Sequence, residues 1–190
     1  MIDLKKMRRR WFFILPAFSF LAACANRPRI HPQRDPFFSG TIYAADPIVL
    51  KNVRYDGVHS GYLALVVERY QEENASARYD FKVRCGPSRR RQMNVPPGPS
   101  LQFWMNQSRQ LRYFSQGGSA GTQAAAGAHN PEPPHVVYED VSPDDLKDLS
   151  QAKTLQIQVN GSPHSVTADF NPADFSVLRV FVSRFIHSVS

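Results

Sequence analysis

From Gly40 onward, apolar residues recur at every second position through much of the chain, and the period lengthens towards the C-terminus. Tyr62–Leu63–Ala64–Leu65–Val66–Val67 is a continuous apolar run, the pattern of a strand covered on both faces. Tyr79, Phe81, Val83 and Cys85 alternate with Asp80, Lys82 and Arg84, the mark of a strand with one face buried. The polar stretch 72–76 between these two reads as a hairpin loop. Leu101, Phe103 and Met105 repeat the alternation, and Leu111 and Tyr113 continue it after a turn near Gln107–Ser108. Cys85 shares its side of the strand with three core-type residues, so a buried, inert thiol is expected.

The C-terminal third changes period. Ser142–Pro143–Asp144–Asp145 supplies an N-cap, a proline at the first helical position and carboxylates near the positive helix end. Val141 and Leu146 are spaced as a hydrophobic staple, and the helix runs to about Ser150. Leu155, Ile157 and Val159 then lead into Asn160–Gly161, a favoured pair for a two-residue hairpin turn. Pairing outward from it sets Val159 against Ser162, Ile157 against His164 and Leu155 against Val166. Asn171–Pro172–Ala173–Asp174 repeats the capping pattern, with Phe170 and Phe175 as the staple. In the closing helix Phe175, Leu178, Phe181, Val182, Phe185 and Val189 share one broad face, opposite Ser176, Arg179, Ser183 and His187. The pattern predicts an α+β domain over residues 40–190. It is an antiparallel sheet with a C-terminal helix–hairpin–helix unit packed on it. Residues 116–135, rich in glycine and proline, interrupt it as a long mobile loop or as a link between two small subdomains.

The N-terminus follows a different rule. Residues 1–10 carry Lys5, Lys6, Arg8, Arg9 and Arg10, and an apolar run of 13 residues follows, Trp11 to Ala23. A basic start, an apolar stretch and small residues at a cut site make a secretory signal, and the run falls short of the roughly 20 residues that span a bilayer. Leu21–Ala22–Ala23–Cys24 matches the lipobox, and in this segment the chain resembles bacterial lipoproteins. The resemblance covers about the first 24 residues. It implies removal of residues 1–23, a diacylglycerol on the Cys24 sulfur and a palmitate-type lipid anchor. With Ala25 rather than aspartate after the cysteine, it also implies the outer membrane, with the domain facing the periplasm. Residues 24–39, with Pro28, Pro32, Pro36, Arg27, Arg29 and Arg34, read as an extended tether.

Charge and chemistry narrow the function. Residues 1–23 contribute a net +4 of the formal +7, so the remaining 167 residues are only weakly basic at +3. That balance, with an export signal, argues against nucleic acid as a partner. Arg84, Arg89, Arg90 and Arg91 form one dense basic cluster, and Arg109 and Arg112 could extend it near Phe103, Trp104 and Tyr113. Such a patch suits an anionic glycan or lipopolysaccharide; a solvated loop is the alternative. The histidines His31, His59, His129, His135, His164 and His187 lack the spacing of a metal site. No nucleophile or phosphate-loop motif is present, so neither a catalytic residue nor a cofactor is expected. The expectation is a non-catalytic, lipid-anchored envelope protein, structural or interacting with other envelope proteins. A binding module for anionic glycan is the alternative, and a cell-wall hydrolase the third reading.

Overall fold

A computed structural model describes residues 28–89, 93–119 and 135–186. The first strands are β1 (Ile30–Gln33), β2 (Thr41–Ala45), β3 (Ile48–Val49), β4 (Arg54–Tyr55), β5 (Val58–His59), β6 (Tyr62–Gln71) and β7 (Arg78–Gly86). Next come β8 (Asn94–Val95), β9 (Gly98–Met105), β10 (Arg109–Ser115), β11 (Gly118–Ser119) and β12 (Val136–Tyr138). Helix α1 (Pro143–Gln151), β13 (Leu155–Asn160), β14 (Ser165–Asp169) and helix α2 (Asp174–Phe185) complete the order. One sheet runs β1-β2-β6-β7-β12, with β3 also paired to β6; the other runs β10-β9-β13-β14-β4-β5. Strands β8 and β11 make a separate two-stranded ribbon.

The alternation decides which faces meet. Leu63, Leu65 and Val67 of β6 stand opposite Cys85, Val83 and Phe81 of β7, and all six are buried. From the second sheet, Leu101 and Phe103 of β9, Tyr113 of β10 and Ile157 of β13 are buried likewise. The Phe81 ring centroid lies 5.4 Å from that of Phe103 and 5.3 Å from that of Tyr113, so the two sheets meet through aromatic contacts. Cys85 belongs to this core, and burial pushes its thiol pKa up to about 12, which leaves it unreactive.

Helix α2 extends the core against strands of the first sheet. Phe181 of α2 packs on Tyr79 at 6.2 Å, and Phe185 lies 5.1 Å from Tyr43. Ser142 caps α1 by accepting from the Asp144 N–H at 3.2 Å, and the staple residues Val141 and Leu146 are both buried. The second staple also forms, with the Phe170 and Phe175 rings 5.7 Å apart. Its cap works in reverse: the Asp174 carboxylate accepts from the Asn171 N–H at 2.7 Å, and the first helical turn has no side-chain cap.

The architecture is therefore mostly antiparallel β, with two sheets and two short helices. The C-terminal hairpin does not stand apart with its flanking helices. Strand β13 lies between β9 and β14 in the second sheet, where its outer edge finds backbone partners. Its register also differs from the one expected for an Asn160–Gly161 turn: Val159 faces Val166 and Ile157 faces Ala168. Residues 161–164 form a longer loop, because Pro163 has no N–H for the ladder, and the Gly161 N–H donates to the His164 carbonyl instead. The shift is even-numbered, so the apolar faces still coincide. His164 consequently sits near the surface, paired with Asp56 rather than in the core.

Within the segment read as a tether, residues 30–33 form the edge strand β1, where Pro32 costs no ladder bond. Cys24, Arg90, Arg91, His129, His187, Val189 and most of the 116–135 loop lie outside the described residues.

Candidate functional site

Strands β6 and β7 place their outward residues in rows across the first sheet. Ala64 stands opposite Arg84, Val66 opposite Lys82 and Glu68 opposite Asp80. Tyr62 stands opposite Gly86, so no side chain there occupies the space over its ring. The small residues Ala64 and Ala44 on this face leave a groove of about 320 Å³. Its walls include Tyr62, Lys82, Arg84, Arg89, His31 and His135.

At one end of the groove two guanidinium groups share one ring. Arg84 Cζ is 5.8 Å and Arg89 Cζ 5.4 Å from the Tyr62 ring centroid. Arg84 reaches the ring diagonally from the neighbouring strand, and Arg89 returns to it from the short turn after Gly86. Among the described residues neither arginine forms an ion pair, and the Arg84 Nε is buried with no hydrogen-bond partner. Buried donors of this kind need an acceptor, and a charged one most of all.

The other end is acidic and closed. Glu68, only 3% exposed at its side chain, binds Lys82 Nζ at 3.0 Å and accepts from Tyr70 Oη at 2.7 Å. Lys82 thus spends its charge inside the protein. Asp80, buried beside Glu68, accepts from Arg78 at 3.0 Å and from the Asp140 N–H at 3.3 Å. Burial pushes its pKa up to about 6, and Glu139 adds to this; Arg78 and the Asp140 N–H oppose the shift without cancelling it. Burial and Glu68 likewise raise the pKa of Tyr70, so the phenol stays a donor. At the rim, His31 Nε2 meets Asp46 Oδ1 at 2.9 Å. Burial works to raise the Asp46 pKa, but the Arg29 N–H and His31 outweigh it and hold the carboxylate below its usual range.

The structure divides the basic residues picked out from sequence. Arg84 and Arg89 come together on the first sheet. Arg109 and Arg112 belong to β10 of the second sheet and do not join them. Arg109 is held by Asp145 and Asp148 of α1, and Arg112 donates to Gln110 Oε1 at 2.9 Å. Phe103 and Tyr113 are core residues, and Trp104 alone of that trio faces outward. Tyr62, Lys82, Glu68 and His31 were not anticipated. Their signal lies in the 72–76 hairpin loop, which sets the register that brings Glu68, Lys82 and Arg84 to one face.

Among the described residues no three His, Cys, Asp or Glu side chains are grouped to hold a metal ion. Among the same residues no helix is long and apolar enough to cross a membrane. Compared with family models, with curated proteins and with solved structures, the chain matches none.

Proposed function

We propose that this chain is a lipid-anchored envelope protein whose domain binds an anionic glycan, such as the phosphorylated sugars of lipopolysaccharide, in the groove on its first sheet. The observation that carries the reading is the pair Arg84 and Arg89 gathered over the Tyr62 ring, without carboxylate partners among the described residues and with the Arg84 Nε buried and unsatisfied. A guanidinium held over an aromatic ring loses less side-chain freedom when its fork meets an oxyanion. Lys82 cannot neutralise the ligand while Glu68 holds it, so recognition rests on the two arginines. Glu68 is committed to Lys82 and Tyr70, and Asp80 does not line the groove, so neither carboxylate is placed to move a proton onto a substrate.

The test is binding of purified lipopolysaccharide to the full-length chain in detergent. Arg84→Ala and Arg89→Ala are each expected to weaken it by about tenfold or more, the worth of a charge-assisted hydrogen bond. The affinity should also fall as salt rises. Unchanged affinity in the double variant would remove the groove from the account.

The anchor is a separate part of the proposal, because a lipid on Cys24 would hold the domain at a membrane of the envelope. Labelling cells with a palmitate analogue tests it separately. Cys24→Ser should carry no label and keep residues 1–23, whereas normal labelling and cleavage would rule the anchor out.

A further inference from the structure

The second sheet turns a different chemistry outward. Trp104 is 40% exposed on β9, flanked by Gln110 of β10 and Gln156 of β13. The next row sets Arg112, Gln102 and Gln158 side by side. Phe114, 68% exposed, follows on β10 after a bulge at Tyr113. It stands four steps along the strand from Gln110, so the two aromatic platforms lie about 13 Å apart along the sheet.

The amides between them are already oriented. Gln110 Nε2 donates to Gln102 Oε1 at 2.8 Å, and Gln110 Oε1 accepts from Arg112. Gln156 Nε2 donates to Asp169 Oδ1 at 2.8 Å. A glutamine amide has two N–H groups and two lone pairs, so each still has donors or acceptors to offer after these bonds. A second groove, about 460 Å³, opens beside Trp104 and is walled by Gln156, Asp169, Lys153 and Phe170.

We infer that this face binds an extended, uncharged β-1,4-linked glycan strand, with Trp104 and Phe114 as stacking platforms and the glutamines as partners for ring hydroxyls. A pyranose ring has an apolar C–H face that fits an exposed indole, and a rim of hydroxyls that both donate and accept. Amides answer that rim in both directions; ammonium and carboxylate groups answer it in one. The two rings are separated by polar side chains, so the face lacks the contiguous apolar centre that a protein partner requires. Asp169, a carboxylate on this face, is engaged by Gln156 and by Arg54 at 3.4 Å. Two platforms about 13 Å apart along one sheet face suit an extended ribbon. This site is independent of the anionic groove, which lies on the other sheet.

The chain has two tryptophans, Trp11 and Trp104, so Trp11→Phe leaves Trp104 as the single reporter. That full-length variant, in a detergent without sugar, is titrated with chito-oligosaccharide and with cello-oligosaccharide. The expected result is a saturable blue shift with at least one of them, insensitive to salt. Phe114→Ala should weaken it by about two- to tenfold, the range of an aromatic contact. Trp104→Ala, with its thermal midpoint unchanged, should abolish co-sedimentation with insoluble chitin or cellulose. Arg84→Ala with Arg89→Ala should leave both readouts intact. No shift with either oligosaccharide would overturn the inference. So would a shift removed by salt or by the Arg84 and Arg89 changes, or undiminished sedimentation of Trp104→Ala.

Discussion

Lys82→Met is expected to destabilise the domain by about 3–5 kcal/mol, the cost of leaving a buried charge without its partner. Lys82 and Glu68 lie diagonally on neighbouring strands, 3.0 Å apart, and the Glu68 side chain is only 3% exposed. Methionine fills much the same volume, so little of the loss comes from packing. Tyr70 still donates one hydrogen bond to Glu68, but a neutral phenol cannot replace the ammonium. The second change, Glu68→Gln on the Lys82→Met background, should restore most of the stability, because a neutral amide accepts from Tyr70 and needs no counter-charge. Urea unfolding of the three proteins measures both steps. A single variant as stable as the parent, or a double variant no better than the single one, would show that water reaches Glu68 and screens it.

Asp80 makes stability depend on acidity. Its pKa is pushed up to about 6 in the folded protein, above the ordinary 3.8 that the unfolded chain is taken to have. Between those values the folded state holds a proton that the unfolded state has released. Stability from this group is therefore complete below about pH 4 and is lost as pH rises through about 6. The loss amounts to about 3 kcal/mol. Asp80→Asn removes the titration, and its amide oxygen can still accept from the Asp140 N–H. Unfolding midpoints at several pH values should thus move in favour of Asp80→Asn as the pH rises from about 4 to about 7. A difference that stays flat across that range would mean that Arg78 keeps Asp80 ionised throughout. The comparison between the two proteins isolates this carboxylate from the others that titrate nearby.

Much of the fold was legible. The alternations at Phe81, Val83 and Cys85 and at Leu101, Phe103 and Met105 became β7 and β9 with those residues inside. The cap at Ser142 and the staple of Phe170 with Phe175 formed as their spacing predicts. One local signal went unread: Asp56–Gly57, both at positive φ (50° and 79°), is a favoured two-residue hairpin turn, and it joins β4 to β5. Strands of two residues carry too little alternation to reveal themselves. Of the candidate site, Arg84 and Arg89 were legible because only four residues of chain separate them. Arg109 and Arg112 were misplaced for the converse reason, since nothing in their own segment says which sheet β10 joins.

The amino-acid order alone determined what depends on near neighbours: strand period, helix caps, the burial of Cys85 and the resemblance of residues 21–24 to a lipobox. These follow from steric and hydrogen-bonding preferences that act over a few residues. Only the tertiary structure decided that there are two sheets, that β13 lies between β9 and β14, and that Tyr62 meets Arg84 and Arg89. Strand pairing runs through backbone groups that every residue carries, so side chains mark which face is buried and not which strand is the neighbour. The burial that raises the pKa of Asp80 and makes Glu68 depend on Lys82 is likewise set by what packs around them. A solvated strand with the same polar residues would have neither property.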